Sequence, residues 1–130
     1  IALHVRRGDY VINSDNHPPC SIEYYNEALS HFDDDREVIV FSDDPAWCQE
    51  QELFSDDRFM ISENDDNRVD LCLMSLCSDF IIANSTFSWW GAWLSANKKK
   101  KVIAPKQWFG TGYTKDHNTK DIIPDGWTRI

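Results

Sequence analysis

The chain has 130 residues, and its 13 Lys and Arg against 22 Asp and Glu give a formal net charge of −9. Hydrophobic residues make up 42% and charged residues 27% of the chain, values that favour one folded domain over a disordered segment. The negative charge argues against a nucleic acid as the main partner. No apolar run approaches the roughly 20 residues that a membrane helix needs, and no signal peptide is visible.

The four cysteines, Cys20, Cys48, Cys72 and Cys77, form no C-x-x-C pair. This spacing argues against a structural zinc site, and we interpret the four residues as free thiols of a reducing compartment. The chain begins without methionine on residues 1–5, which already have the pattern of a strand. We therefore expect the sequence to be part of a longer protein.

Short apolar runs alternate with helical patterns along the chain, as is typical of βα units around a parallel sheet. Strands are predicted at residues 1–5, 37–41, 58–61, 80–83 and 102–104. Helices are predicted from Ser21 to about residue 32, from residues 42–45, from the polar loop at 64–67 to residue 77, and through residues 89–94, with the lysines of 98–101 at its end. The segment between 5 and 21 is predicted as a loop and the segment after Pro105 as irregular. The expected fold class is α/β, a Rossmann-like parallel sheet flanked by helices.

Three polar clusters follow predicted strands, at residues 4–10, 42–44 and 84–88. In an open parallel sheet, ligands bind beyond the carboxyl ends of the strands, which lie along one edge. We therefore expect the three clusters to form a single site.

The first cluster contains two adjacent arginines followed by a glycine. Strand alternation sends Arg6 and Arg7 to opposite sides, so one can contact a ligand while the other braces a carboxylate. The guanidinium donates two parallel hydrogen bonds to phosphate oxygens, which favours a phosphate site. A structural ion pair with a nearby aspartate is the alternative.

The third cluster is rich in hydroxyl groups and precedes a helix. Backbone amides and the helix dipole bind anions at such a turn. Helix capping by Ser85, Thr86 or Ser88 is the simpler interpretation of this cluster alone. Together with a facing arginine, the cluster predicts a diphosphate site.

Two further features have more than one interpretation. Asp43 and Asp44 could form a general acid/base dyad, or a metal site with Asp9 and His4, but we expect capping or bracing of arginine and no bound metal. The tryptophans of residues 89–93 are interpreted as core side chains rather than as a platform for a sugar.

Several segments resemble, in order, the motifs of the α-1,2-fucosyltransferases of glycosyltransferase family 11. They are residues 4–10 (HVRRGDY), 41–48 (FSDDPAWC), 70–77 (DLCLMSLC), 81–94 (IIANSTFSWWGAWL), 103–109 (IAPKQWF) and 121–124 (DIIP). The resemblance implies a GT-B-type enzyme with two Rossmann-like halves, of which residues 1–130 are the C-terminal, GDP-fucose-binding domain, with the N-terminal half absent. It further implies inverting, metal-independent transfer of L-fucose from GDP-fucose to the 2-hydroxyl of a galactose-terminated glycan.

The resemblance also implies roles for individual residues. Arg6 is expected to bind the β-phosphate, with Arg7 assisting or bracing, and Asp9 is a candidate for the catalytic base. His4 is expected near the nucleoside, and Asp70 is expected to accept hydrogen bonds from guanine N1–H and N2–H. The GDP-fucose diphosphate is expected at the turn formed by Ser85, Thr86, Phe87 and Ser88. The acceptor groove lies between the two halves, so we expect this chain alone to be inactive.

Two other functions are compatible with the sequence. The chain could bind GDP or GDP-fucose without catalysis, or it could be an adhesion or carbohydrate-binding protein that uses its aromatic residues and the Arg-Gly-Asp tripeptide at 7–9. We favour the enzyme. Free thiols fit a cytoplasmic protein, peripheral at a bacterial inner membrane where its acceptor is lipid-linked, whereas a Golgi relative would need an anchor.

Overall fold

A computed structural model describes residues 1–113 and 118–130, which form a six-stranded sheet with helices on both faces. The strands are β1 (Ala2–Val5), β2 (Val38–Ser42), β3 (Phe59–Ile61), β4 (Phe80–Ile81), β5 (Val102–Ala104) and β6 (Thr128–Arg129). The α-helices are α1 (Gly8–Ile12), α2 (Ile22–Leu29), α3 (Pro45–Gln49), α4 (Asn67–Leu76) and α5 (Thr86–Leu94), with a 3-10 helix at Glu52–Phe54.

The strand order is β3-β2-β1-β4-β5-β6, and every neighbouring pair is parallel. This is the order of a doubly wound Rossmann sheet, so the predicted fold class is confirmed. The order reverses between β1 and β4, and ligands bind in such sheets at the carboxyl ends of the strands beside this reversal. Arg6 directly follows β1, which places it at the reversal point.

Alternation along the strands divides the core into two apolar clusters. Leu3 and Val5 of β1 pack with α2 and α3 on one face of the sheet. Ala2 and the β2 residue Phe41 pack on the other face, with Met74 of α4 and Ala92 of α5. A sheet covered on both faces needs the near-continuous apolar strands that the sequence shows.

Side-chain caps fix where three of the helices begin. Ser21 Oγ accepts from Tyr24 N at 3.3 Å, Asp44 Oδ1 from Trp47 N at 3.2 Å, and Asp66 Oδ1 from Arg68 N at 2.9 Å. Such caps satisfy backbone amides that have no acceptor within the helix. The predicted starts of α2 and α3 are confirmed. Across the described residues, no helix combines the length and apolarity needed to cross a bilayer.

The structure corrects the prediction at two elements. The short helix α1 lies in the predicted loop and buries none of its residues, so it has no apolar periodicity to detect. The short strand β6 lies in the predicted irregular tail and is held by backbone bonds, with Lys106 N donating to Ile130 O at 2.8 Å and Ile130 N to Ala104 O at 3.0 Å. Both elements depend on contacts that leave no hydrophobic pattern in the sequence.

The lysines predicted to close α5 lie beyond its end at Leu94. Lys100 nevertheless reaches back, and its Nζ donates to Trp93 O at 3.4 Å and to Ser95 O at 2.9 Å. One cation of the four thus interacts with carbonyls at the C-terminus of the helix, as the dipole favours.

Close packing of α4 against α5 depends on a glycine. A Cβ added to Gly91 would lie 2.2 Å from Met74 Sδ and 2.7 Å from its Cγ. We expect Gly91→Ala to lower the free energy of unfolding by about 1–3 kcal/mol, because overpacking forces side-chain and backbone shifts. Denaturant unfolding of Gly91→Ala, Met74→Ala and the double variant measures this. The prediction requires the double variant to lose less than the sum of the single losses, and simple additivity would contradict it.

Candidate functional site

A cleft of 550 Å³ lies at the carboxyl ends of β1 and β2. The starts of α3 and α4, the loop after β3 and one side chain of α5 complete its walls. The lining residues are His4, Arg6, Phe41, Ser42, Asp43, Pro45, Ala46, Gln49, Glu63, Asn64, Asp65, Asn67, Asp70 and Phe87.

Arg6 is held in the cleft by two carboxylates. Its Nη1 lies 3.1 Å from Asp43 Oδ2, and its Nη2 donates to Asp9 Oδ1. The guanidinium also lies over the Tyr10 ring, 5.2 Å from the centroid. The two carboxylates fix the orientation of the guanidinium. Because an arginine carries five N–H donors, it still has donors for an anionic ligand.

Arg7 turns away from the cleft. Its Nε donates to Asp44 Oδ2 at 3.1 Å, and its guanidinium stacks 4.0 Å from the centroid of Trp47. The two arginine side chains therefore point to opposite sides, as strand alternation predicts. Arg6 lines the cleft, and Arg7 braces the start of α3.

Asp43 connects the two motifs. Its Oδ1 accepts from Arg7 N at 2.9 Å, and its other carboxylate oxygen contacts the Arg6 guanidinium. A Cβ on Gly8 would lie 2.4 Å from Asp43 Oδ2, so the absence of a side chain at position 8 permits this approach. The sequence predicts a structural or secondary role for Asp43. In the structure, its carboxylate orients the guanidinium of Arg6.

His4 is a buried, neutral imidazole beside Arg6. It is 4% exposed, and its Nδ1 has no hydrogen-bond partner within the residues that the structure describes. Its ring lies 5.3 Å from that of Phe87. Burial, reinforced by the charge of Arg6, lowers its pKa from 6.5 to about 3. A buried nitrogen without a partner in the wall of a cleft is positioned to bond to a ligand.

The lowered pKa of His4 predicts a pH dependence of stability. Between pH 6.5 and about 3 the unfolded chain binds a proton at His4 that the folded chain does not. Neutral His4 therefore makes its full contribution to the free energy of unfolding above about pH 7. This contribution is lost as the pH falls toward 3, by at most about 1.4 kcal/mol per pH unit. We expect His4→Gln to lose less stability than the wild type between pH 7 and pH 5, measured by denaturant unfolding. His31→Gln, at an exposed position, should retain the wild-type slope, and an equal slope in His4→Gln would contradict the prediction.

Asp70 lies in the first turn of α4 and is buried in the cleft wall. Its Oδ1 accepts from Ser62 Oγ at 2.7 Å and from Asn64 Nδ2 at 3.1 Å. Both hydrogen bonds that the described residues donate to the Asp70 carboxylate go to Oδ1, so Oδ2 is available to donors on a ligand. The loop after β3 thus orients an acceptor within the cleft.

The turn before α5 contributes less to the cleft than the sequence predicts. Phe87 lines the cleft, whereas Ser85, Thr86 and Ser88 do not. Ser88 is fully buried, and its Oγ bonds to Ser85 O at 3.2 Å and Ala83 O at 3.4 Å. Ser85 is the N-cap residue of α5 but makes no side-chain capping bond. The first amides of α5 have no acceptor within the helix, so diphosphate binding at this turn stays a prediction that rests on them.

Of the predicted site residues, the structure brings His4, Arg6, Asp70 and Phe87 into one cleft. The loop at 62–66 was missed, although it follows the carboxyl end of β3 and could have been found by the same rule as the other three clusters. Within residues 1–113 and 118–130, no group of three His, Cys, Asp or Glu side chains is arranged to hold a metal ion.

Comparison with known proteins gives the relationships of the chain. The sequence model of Glycosyl transferase family 11 matches residues 1–130. Two curated relatives are the O-antigen biosynthesis glycosyltransferase WbnK of Escherichia coli, 36% identical over 99% of this chain, and an alpha-1,2-colitosyltransferase of Escherichia coli, 38% identical over 100%. The aligned regions cover 44% and 47% of these relatives, so the chain spans less than half of each. No solved structure matches significantly.

Proposed function

The chain belongs to glycosyl transferase family 11, and on that premise we propose that it is the donor-binding part of an inverting α-1,2-fucosyltransferase. The proposed reaction transfers L-fucose from GDP-fucose to the 2-hydroxyl of a galactose-terminated glycan. The observation that carries the proposal is that Arg6 and Asp70 line the same cleft, together with the neutral His4. A guanidinium suits the diphosphate and a buried carboxylate suits the N1–H and N2–H edge of guanine.

In this proposal, Arg6 stabilises the leaving group. Negative charge builds on the diphosphate as its bond to the anomeric carbon breaks and the sugar becomes oxocarbenium-like. Asp9 and Asp43 already orient the guanidinium, so its donors do not need to reorganise during the reaction. Donors aimed at the developing charge lower the barrier because they bind the transition state more strongly than the substrate. The first amides of α5 add to this stabilisation.

The acceptor hydroxyl must lose a proton as it attacks the anomeric carbon. Asp9 is exposed beside Arg6 and is the candidate base within this chain. The rest of the acceptor site is assigned to protein outside residues 1–130, consistent with the length of the relatives. We propose that the isolated chain binds GDP without transferring sugar.

The decisive experiment is a donor assay with the full-length protein. GDP-fucose and a galactose-terminated acceptor should give an α-1,2-linked product with inversion at the anomeric carbon, and chelation of divalent metals should leave the rate unchanged. Transfer from a uridine-linked sugar but not from GDP-fucose would overturn the proposal. An activated form of colitose belongs in the same assay, because one relative is named for colitosyl transfer. Preference for that donor would favour colitose over fucose as the transferred sugar.

We propose that the protein is cytoplasmic and peripheral at the inner membrane of a bacterium, where a lipid-linked acceptor would be accessible. All four cysteines are free, as expected in a reducing compartment. Cell fractionation tests this assignment, and recovery of the protein from the periplasm would contradict it.

A further inference from the structure

Helices α4 and α5 expose large apolar side chains on their outer faces. Leu76 is 76% exposed, Leu94 57% and Trp93 50%, and Trp90 is similar. The expectation that all three tryptophans of α5 are core residues is therefore wrong for Trp90 and Trp93. The buried face of α5 consists of Ser88, Gly91 and Ala92, whose small size lets the helix approach α4 and the sheet. The tryptophan rings lie outside this buried face, with Trp89 half-buried and Trp90 and Trp93 exposed.

Three of the exposed side chains, Leu76, Trp93 and Leu94, lie at the C-terminal ends of the two helices, and Trp90 lies one turn earlier in α5. Ser95 Oγ bonds to Cys77 O at 3.4 Å, and Asn97 Nδ2 donates to Ser78 O at 2.8 Å. These bonds join the segment after α5 to the segment after α4, so Leu76 and Leu94 end neighbouring helices. This end is at the amino edge of the sheet, opposite the cleft.

Basic side chains border this apolar end. Lys98 and Lys99 are exposed, and neither forms an ion pair within the described part of the chain. Lys100 Nζ donates to the carbonyls of Trp93 and Ser95 at the end of α5. The nearby carboxylate of Asp79 is neutralised by Arg36 at 2.8 Å. In a chain of net charge −9, this is a local cationic border on an apolar surface.

We propose that this surface, formed by Leu76, Trp90, Trp93, Leu94, Lys98 and Lys99, binds an anionic lipid bilayer. Tryptophan and leucine side chains enter the boundary between headgroups and acyl chains, while lysines remain at the level of the phosphates. The attraction of cationic residues to an anionic leaflet adds to the apolar contact. The residues of this surface include no carboxylate, so a two-fold interface, which pairs the surface with itself, would give the lysines no opposite charge. The proposal does not depend on the identity of the donor sugar.

Co-sedimentation of the full-length protein with vesicles tests the proposal. Phosphatidylcholine vesicles that contain phosphatidylglycerol should bind the protein, and binding should weaken with added salt and with removal of the anionic lipid. The double variant Lys98→Glu, Lys99→Glu should partition at least about tenfold more weakly, because each lysine near an anionic surface contributes about fivefold. Leu94→Ser should also weaken binding. Ile12→Ser, at an exposed apolar position outside this surface, and Lys120→Glu are the matched controls and should bind as the wild type does.

Quenching by brominated lipids shows which residues touch the bilayer. Trp90→Phe with Trp93→Phe should retain binding but lose most of the quenching. The lysine variants change exposed ammonium groups only, so they report on the surface even where Leu94→Ser proves unstable. Absence of binding to anionic vesicles would overturn the proposal, as would equal binding by the wild type and the lysine variants. A dimer in sedimentation velocity that is lost in Leu94→Ser would also overturn it, because the surface would then be a contact between copies.

Discussion

Replacement of Arg6 by alanine in the full-length protein is expected to reduce the rate of sugar transfer about 10³-fold, or by about 4 kcal/mol in activation free energy. Arg6 is the cleft residue whose guanidinium is fixed by Asp9 and Asp43 and still has free donors. Because the charge on the leaving diphosphate is largest in the transition state, the loss should fall mainly on kcat. GDP affinity, measured by calorimetry, should decrease less, by about tenfold.

Three matched variants make the Arg6 experiment specific. Arg6→Lys retains the charge but not the planar fork, so its activity should lie between those of the wild type and Arg6→Ala. Arg7→Ala should lower the melting temperature together with the activity, because Arg7 braces Asp44 and Trp47 rather than lining the cleft. Arg58→Ala, outside the cleft, should leave turnover unchanged. Wild-type turnover in Arg6→Ala would refute the assigned role.

The second large effect is expected for Asp70→Asn, which should weaken GDP binding about 100-fold. Each hydrogen bond from guanine to the carboxylate contributes about 1.5–3 kcal/mol, and the asparagine amide presents a donor where guanine also presents one. The same amide can donate to the C2 carbonyl of xanthine. We therefore expect the variant to bind xanthosine diphosphate more tightly than the wild type does.

Competition calorimetry with the two nucleotides measures this exchange of specificity. Asn64 and Ser62 can still donate to the Oδ1 of an asparagine at position 70, so the wall of the cleft should persist. Asp65→Asn removes a charge from the same cleft and should change the affinity for GDP only slightly. If Asp70→Asn loses both nucleotides equally together with thermal stability, the residue is structural and does not read the base.

Local sequence patterns predict much of the architecture. The apolar run of residues 38–41, with three β-branched side chains, predicts a buried strand, and the Asp44-Pro45 step marks the start of a helix. The rule that ligands bind at the carboxyl ends of parallel strands predicts a ligand site at Arg6, which lines the cleft. The opposite directions of Arg6 and Arg7 followed from alternation alone.

Other features depend on tertiary contacts that no local pattern reports. Ser88 and Thr86 are equivalent as hydroxyl residues in the sequence, but the rotation of α5 buries the first and exposes the second. The same rotation leaves Trp90 and Trp93 outside the core, because the helix packs through Gly91 against Met74. The link between Asp43 and Arg6 spans two strands and becomes visible only when β1 and β2 pair.

A crystal structure of the full-length protein with bound GDP would show whether Arg6 and Asp70 bind the nucleotide. We expect the N1–H and N2–H edge of guanine within hydrogen-bond distance of the Asp70 carboxylate and the β-phosphate on the Arg6 guanidinium. GDP bound outside this cleft, or within it with no phosphate contact to Arg6, would contradict the account.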